Sequence, residues 1–153
     1  MRRWEAPVFL SLLASLALPL GAAAETVNKT FPFDLDKWYD VGVTEGPVTI
    51  HRVRVARQGG MVTKSKIFRP GNSEYLDSVQ IQVEYSNTAT RDWKADLRVV
   101  WTDDKDLVID GYNGSEQLDE RESFQHATVS LSTFKYGLEK ARRLRVEIVL
   151  KPE

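Results

Sequence analysis

The chain of 153 residues has no cysteine, and its histidines are two, His51 and His126. No disulfide framework, thiolate nucleophile, cysteine-ligated zinc site or iron–sulfur cluster can be built from such a sequence. Charge of one sign is lacking too, since 21 Lys+Arg face 22 Asp+Glu for a formal net charge of −1. That balance removes the electrostatic case for a dedicated nucleic-acid binder. Catalytic signatures are missing as well: there is no Gly-x-Ser-x-Gly elbow, no His-Glu-x-x-His pair and no glycine-rich phosphate loop. Neither enzyme activity nor a cofactor is expected. With 42% hydrophobic residues, the chain is nonetheless too apolar to stay disordered, and its length suits one domain.

Long apolar runs are confined to the beginning. Arg2 and Arg3 precede an apolar stretch from Val8 to Leu20, interrupted by Ser11, Ser15 and Pro19, and Ala22, Ala23 and Ala24 follow. This is the pattern of a secretory signal peptide over residues 1–24, cleaved before Glu25. The stretch is too short for a bilayer span, which needs roughly 20 residues, so no integral anchor is expected after cleavage. The mature part, 25–153, reads as a single secreted or periplasmic domain. Asn28-Lys29-Thr30 and Asn113-Gly114-Ser115 match the glycosylation acceptor pattern, which matters only in a eukaryotic host.

Strict alternation dominates the remainder. Val79, Ile81, Val83 and Tyr85 share one side of an extended segment; Ala95, Leu97, Val99 and Trp101 repeat the pattern, and Leu144, Val146, Ile148 and Leu150 repeat it again. Each is a strand with one wet face, as antiparallel sheets require. Ala127, Val129 and Leu131 give a fourth, less marked case. Val48 and Ile50 have one parity and Val53 and Val55 the other, so a strand from Val48 to Ala56 needs a β-bulge near His51-Arg52 or burial on both faces. Asp103 to Asp106 reads as a hairpin turn, and Asp110 to Ser115, rich in Gly and Asn, as a loop. Phe134, Leu138 and Ala141 predict at most one short helix near 134–142, with Gly137 against it. The expectation is an all-β, antiparallel immunoglobulin-like β-sandwich of about 7–9 strands.

The stretch from Val79 to Asn87, followed by Trp93 and by Leu97 to Val108, resembles FxLYD-type and related immunoglobulin-like domains of bacterial envelope proteins. In those domains a strand ends in an Asn-containing turn and the next runs into an Asp-rich hairpin. The resemblance extends over Leu76 to Leu150; the FxLYD signature is absent, and Lys105-Asp106 stands where such a hairpin usually has glycine. It implies an envelope adhesion, assembly or accessory module and carries no catalytic residue across.

Three groups of residues are candidates for a site. Between Pro47 and Ser73 all charged side chains are basic, and between Asp103 and Glu122 most are acidic; such segregation can steer a charged partner unless the two segments neutralise each other in the fold. Arg52 and Arg54 share a parity and should project together, and with Lys64 and Lys66 they form a candidate basic patch. Trp38, Trp93 and Tyr112 are candidate loop aromatics, with Trp38 and Trp93 expected to be partly exposed and Trp101, in phase with Leu97 and Val99, expected in the core. Asp103, Asp104, Asp106 and Asp110 are a weak calcium candidate, because an EF-hand frame counted from Asp104 meets Ile109 and Ser115 at its required glycine and glutamate. The functional expectation is a non-enzymatic binding or assembly module that recognises an envelope or extracellular protein. The alternative is a carbohydrate-binding or carbohydrate-active secreted protein.

Overall fold

The computed structural model describes residues 26–58 and 75–153. The expected signal segment lies outside them, as do Lys64 and Lys66. Among the described residues there are eight strands: β1 (Thr26–Pro32), β2 (Tyr39–Glu45), β3 (Val48–Arg57), β4 (Leu76–Asn87), β5 (Trp93–Thr102), β6 (Val108–Leu118), β7 (Glu122–Phe134) and β8 (Arg143–Pro152). One short helix, α1 (Lys135–Lys140), precedes β8. The strands form two antiparallel sheets, β1-β8-β5-β6 (sheet I) and β2-β3-β4-β7 (sheet II). With β1 over β2 and β6 over β7, the two sheets make a β-sandwich, the architecture that immunoglobulin-like domains also use. Its strand order, with the first and last strands paired, is not legible from alternation.

Alternation does supply the core. Val79, Ile81, Val83 and Tyr85 of β4 face Ala95, Leu97, Val99 and Trp101 of β5 and Leu144, Val146, Ile148 and Leu150 of β8, all buried. Burying one such aliphatic side chain is worth about 1.5–3 kcal/mol, and a one-residue slip would turn every one of them outward. The register is therefore strongly determined. Ala127, Val129 and Leu131 of β7 are only half-buried, because β7 is an edge strand.

Of the two arrangements open to it, β3 solves its parity conflict with the bulge. Its pairing with β4 shifts between Ile50 and Arg52, so that His51 is the extra residue. Val48, Ile50, Val53 and Val55 are all fully buried as a result.

Two expectations are corrected. Asp110 to Ser115 is not a loop but the middle of β6. Its glycines serve close approach rather than turning: a Cβ on Gly111 would lie 2.3 Å from the Val99 carbonyl oxygen, and Gly114 is covered by the Tyr112 phenol, 2.1 Å from the place its Cβ would take. In α1, Leu138 and Ala141 are buried as the spacing suggests, but Phe134 is 64% exposed. Gly137 proves compatible with the helix because Ile109 packs against it; a Cβ there would sit 2.8 Å from Ile109 Cγ2.

Asn87, at the end of β4, is fully buried and ties the connection to β5. Its Nδ2 donates to the Arg91 and Leu118 carbonyls at 3.1 and 3.0 Å, and its Oδ1 accepts from the Ala89 N–H at 3.0 Å. Removal of one partner leaves buried backbone groups unsatisfied. Asn87→Ala is expected to destabilise the fold by about 2–4 kcal/mol, read as a lower urea midpoint at unchanged slope; a shift within error would show that the turn holds without this side chain.

Candidate functional site

The outer face of sheet II carries a cluster that joins two of the expected candidates. The bulge sets Arg52 and Arg54 outward on β3, and the segment entering β2 lays Trp38 against both: the guanidinium carbons lie 4.6 and 4.4 Å from the indole centroid. From β7, the His126 ring approaches the same indole at 5.5 Å. Beneath them is Glu84 of β4, 7% exposed although it points away from the core. Its seclusion comes from the side chains above it.

Arg52 grips Glu84 with a two-pronged contact, Nε to Oε1 at 3.0 Å and a terminal nitrogen to Oε2 at 2.8 Å. His126 Nε2 lies 3.2 Å from Glu84 Oε2; since an ionised carboxylate only accepts, this nitrogen is the donor. The Arg52 hydrogen bonds hold the Glu84 carboxyl below the usual carboxylate range, against the opposing effect of burial. Arg54 instead donates through Nε to the Gln82 amide oxygen at 2.7 Å, and Gln82 passes the chain to Gln80 at 3.0 Å. Arg54 has no carboxylate partner among the described residues. One guanidinium is thus neutralised and fixed, while its neighbour is fixed but keeps its charge available.

At one end of the same face, the His51 imidazole stacks on Phe124 with ring centroids 4.4 Å apart. His51 Nε2 lies 2.8 Å from Ser86 Oγ, which also accepts the Phe124 N–H at 3.0 Å. Phe124 has a left-handed φ of 52° and is 64% exposed. The bulge residue of β3 therefore helps to hold the irregular start of β7.

The other candidates separate. Trp93, expected to be partly exposed, is 7% exposed, with its ring beneath the β2–β3 turn, 3.3 Å from where a Gly46 Cβ would stand. Trp101 is fully buried. Tyr112 is half-buried in β6, and its hydroxyl donates to Glu116 at 2.6 Å; that hydrogen bond, with burial, pushes the phenol up to about 12. The acidic candidates serve the turn and its surroundings. Asp103 Oδ1 accepts the N–H groups of Lys105 and Leu107, Asp106 pairs with Arg143, and Asp110 accepts from Gly111 N–H and the Thr133 hydroxyl. Among the described residues no group of three or more His, Asp or Glu side chains is placed to hold a metal ion.

Of the described basic residues, Arg52 and Arg54 stand on β3, interior to sheet II, and their hydrogen-bond partners are Glu84 and Gln82 rather than the acidic side chains of Asp103 to Glu122, most of which belong to sheet I. Sequence reasoning missed Glu84 and His126. Their parity, outward on β4 and β7, was visible, but their meeting depends on β7 pairing with β4, where Glu84 and His126 stand directly opposite.

No protein-family model matches this chain, and comparison with curated proteins finds no similar sequence.

Two outcomes follow from this geometry. In acrylamide quenching of the chain from Glu25 to Glu153, Trp38→Phe should remove most of the quenchable emission and Trp93→Phe or Trp101→Phe little of it; equal quenching of all three would contradict the placement of Trp93 and Trp101. The lowered Glu84 pKa means that its contribution to stability is present above the unfolded carboxylate value, about 4.3, and is lost as pH falls through the lower folded value. Arg52→Gln leaves a secluded carboxylate without its fork. Its urea midpoint should fall below wild type at neutral pH, and the gap should narrow on acidification; a gap that stays constant with pH would disconnect Arg52 from Glu84.

Proposed function

We propose that the chain is an exported, non-enzymatic binding or assembly module of the cell envelope that recognises a protein partner through the outer face of sheet II. The observation that carries this reading is Trp38 held against Arg52 and Arg54 over the secluded Glu84. Trp and Arg are the side chains that most often dominate binding energy at protein interfaces, and they do so where they are already ordered. Here the fork to Glu84, the bond to Gln82 and the contact with the indole order both arginines before any partner arrives. Arg54 supplies the uncompensated charge, so a carboxylate beside an apolar group is the complementary feature. The charges are positioned rather than poised for proton transfer, since the Glu84 carboxyl sits below its usual range instead of near neutrality.

A polysaccharide-binding reading has less support. Stacking on sugars needs flat, open rings, yet Trp93 and Trp101 are in the core and Trp38 already has guanidinium and imidazole groups against it.

Selection of a displayed random-peptide library on the chain from Glu25 to Glu153 tests the proposal. Enriched peptides should carry an acidic side chain next to an apolar one. Arg54→Gln and Trp38→Ala should each weaken binding of those peptides roughly thirtyfold, the equivalent of a hot-spot loss of about 2 kcal/mol, and added salt should weaken it too. Enriched peptides without carboxylates, or binding indifferent to Arg54→Gln, would refute the reading. Retention on immobilised polysaccharide that is lost with Trp38→Ala would transfer the face to the glycan alternative.

A further inference from the structure

The sandwich has four sheet edges, and three of them carry features that discourage strand addition. β1 has Lys29 and Pro32; β2 has Asp40, Glu45 and a register shift beside Gly42; β6 has Asp110, Glu116 and two glycines. β7 is different. From Ser123 to Phe134 it contains no Lys, Arg, Asp, Glu, Pro or Gly, and among the described residues no strand pairs with its outer side. A long, uncharged, unpaired edge is a template for another strand, and natural proteins seldom leave one bare.

We infer that β7 is a dimerisation edge: a second copy of this chain adds its own β7 antiparallel to the first, joining two sheets II into one continuous sheet. The composition of β7 favours its own copy as occupant. An antiparallel pairing centred on Val129 sets Val129 against Val129, Ala127 against Leu131, Thr128 against Ser130, His126 against Ser132 and Phe124 against Phe134. Every pair then joins residues of the same sheet face, and no ionised carboxylate or ammonium meets its like. The inward residues Ala127, Val129 and Leu131, which are only half-buried in one chain, gain cover from their counterparts. Phe124 and Phe134, each 64% exposed, come to the same two ends of the joint. The regular stretch from Gln125 to Thr133 gives about eight to ten backbone hydrogen bonds, within the range a typical stable interface carries. This joint uses the edge of sheet II; of the Trp38 cluster only His126 lies on the joining strand, while Trp38, Arg52, Arg54 and Glu84 stand on or beside strands away from it, so the inference does not depend on the proposed peptide-binding role.

Sedimentation equilibrium on the chain from Glu25 to Glu153, which holds every buried residue among those described, gives the first reading. A mass twice that of one chain is expected at high concentration, and a strictly monomeric protein would overturn the inference. The double variant Thr128→Lys with Ser130→Lys puts opposed ammonium groups at the centre of the joint from exposed positions. It should sediment as a monomer with an unchanged thermal unfolding transition, whereas a persistent dimer would assign the contact elsewhere. Because the chain has no cysteine, the register can be tested directly even if the lysine variant fails to fold. Thr128→Cys mixed with Ser130→Cys should form a heterodimeric disulfide on mild oxidation in preference to either homodimer; random cross-linking would contradict the centre at Val129.

Discussion

The extra residue at His51 is the constraint on which the outer face of sheet II depends. Without it, a regular strand that buried Val48 and Ile50 would drive Arg52 and Arg54 into the core and expose Val53 and Val55. With it, four valine and isoleucine side chains face inward and the two arginines face out together. The cost of inserting an unpaired residue is offset in part by what His51 does, since its ring stacks on Phe124 and its Nε2 meets Ser86. Ser86 in turn accepts the N–H of Phe124, where β7 has its own irregularity. The two departures from regular pairing thus share one residue of the strand between them and are mutually supporting.

The two wet faces differ in how they treat charge. On sheet I, cross-strand pairs cancel: Lys151 with Asp96 at 2.6 Å, Arg98 with Glu147 at 3.0 Å and Lys94 with Glu153 at 2.5 Å. Such half-exposed pairs add little to stability, but they tie up most of the charge on that face. On sheet II the hydrogen-bond partners of the arginines are one carboxylate and one amide, so Arg54 lies beside the indole without an ion pair. A total charge of −1 conceals this difference, which arises from strand neighbours and not from composition.

How far the fold was legible follows from the range of each interaction. Strands β4, β5 and β8 were legible because one side of each is wholly buried and alternation is a local property. The bulge was legible for the same reason, as a break in local parity. β6 was not, because Gly111 and Gly114 have the composition of a turn while their actual roles, closeness to the Val99 carbonyl and cover by Tyr112, involve a neighbouring strand and a ring folded back along the edge. Trp93 misled in a similar way: its position beside a turn suggested water, but the β2–β3 turn, distant in sequence, closes over it. At the candidate site, the shared parity of Arg52 and Arg54 was readable, and their meeting with Trp38, Glu84 and His126 was not, because it requires the order β2-β3-β4-β7.

Among the described residues, every displaced pKa moves away from neutrality: the Glu84, Asp96 and Asp106 carboxyls are lowered by their cationic partners, and the Tyr39, Tyr85 and Tyr112 phenols are raised by burial or a carboxylate neighbour. Groups that transfer protons at neutral pH are usually moved towards it, by burial without compensation or by a like charge close by. Here the carboxyls are held ionised by their cationic partners, and the phenols are held protonated by burial or by a carboxylate neighbour. Fixed charge and guanidiniums held by hydrogen bonds against an indole make a preorganised surface, and preorganisation in general lowers the entropic cost of binding. The cluster also lies on an interior stretch of sheet: β3 and β4 are paired on both sides, so Arg52, Arg54 and Glu84 stand on a backbone held from both edges.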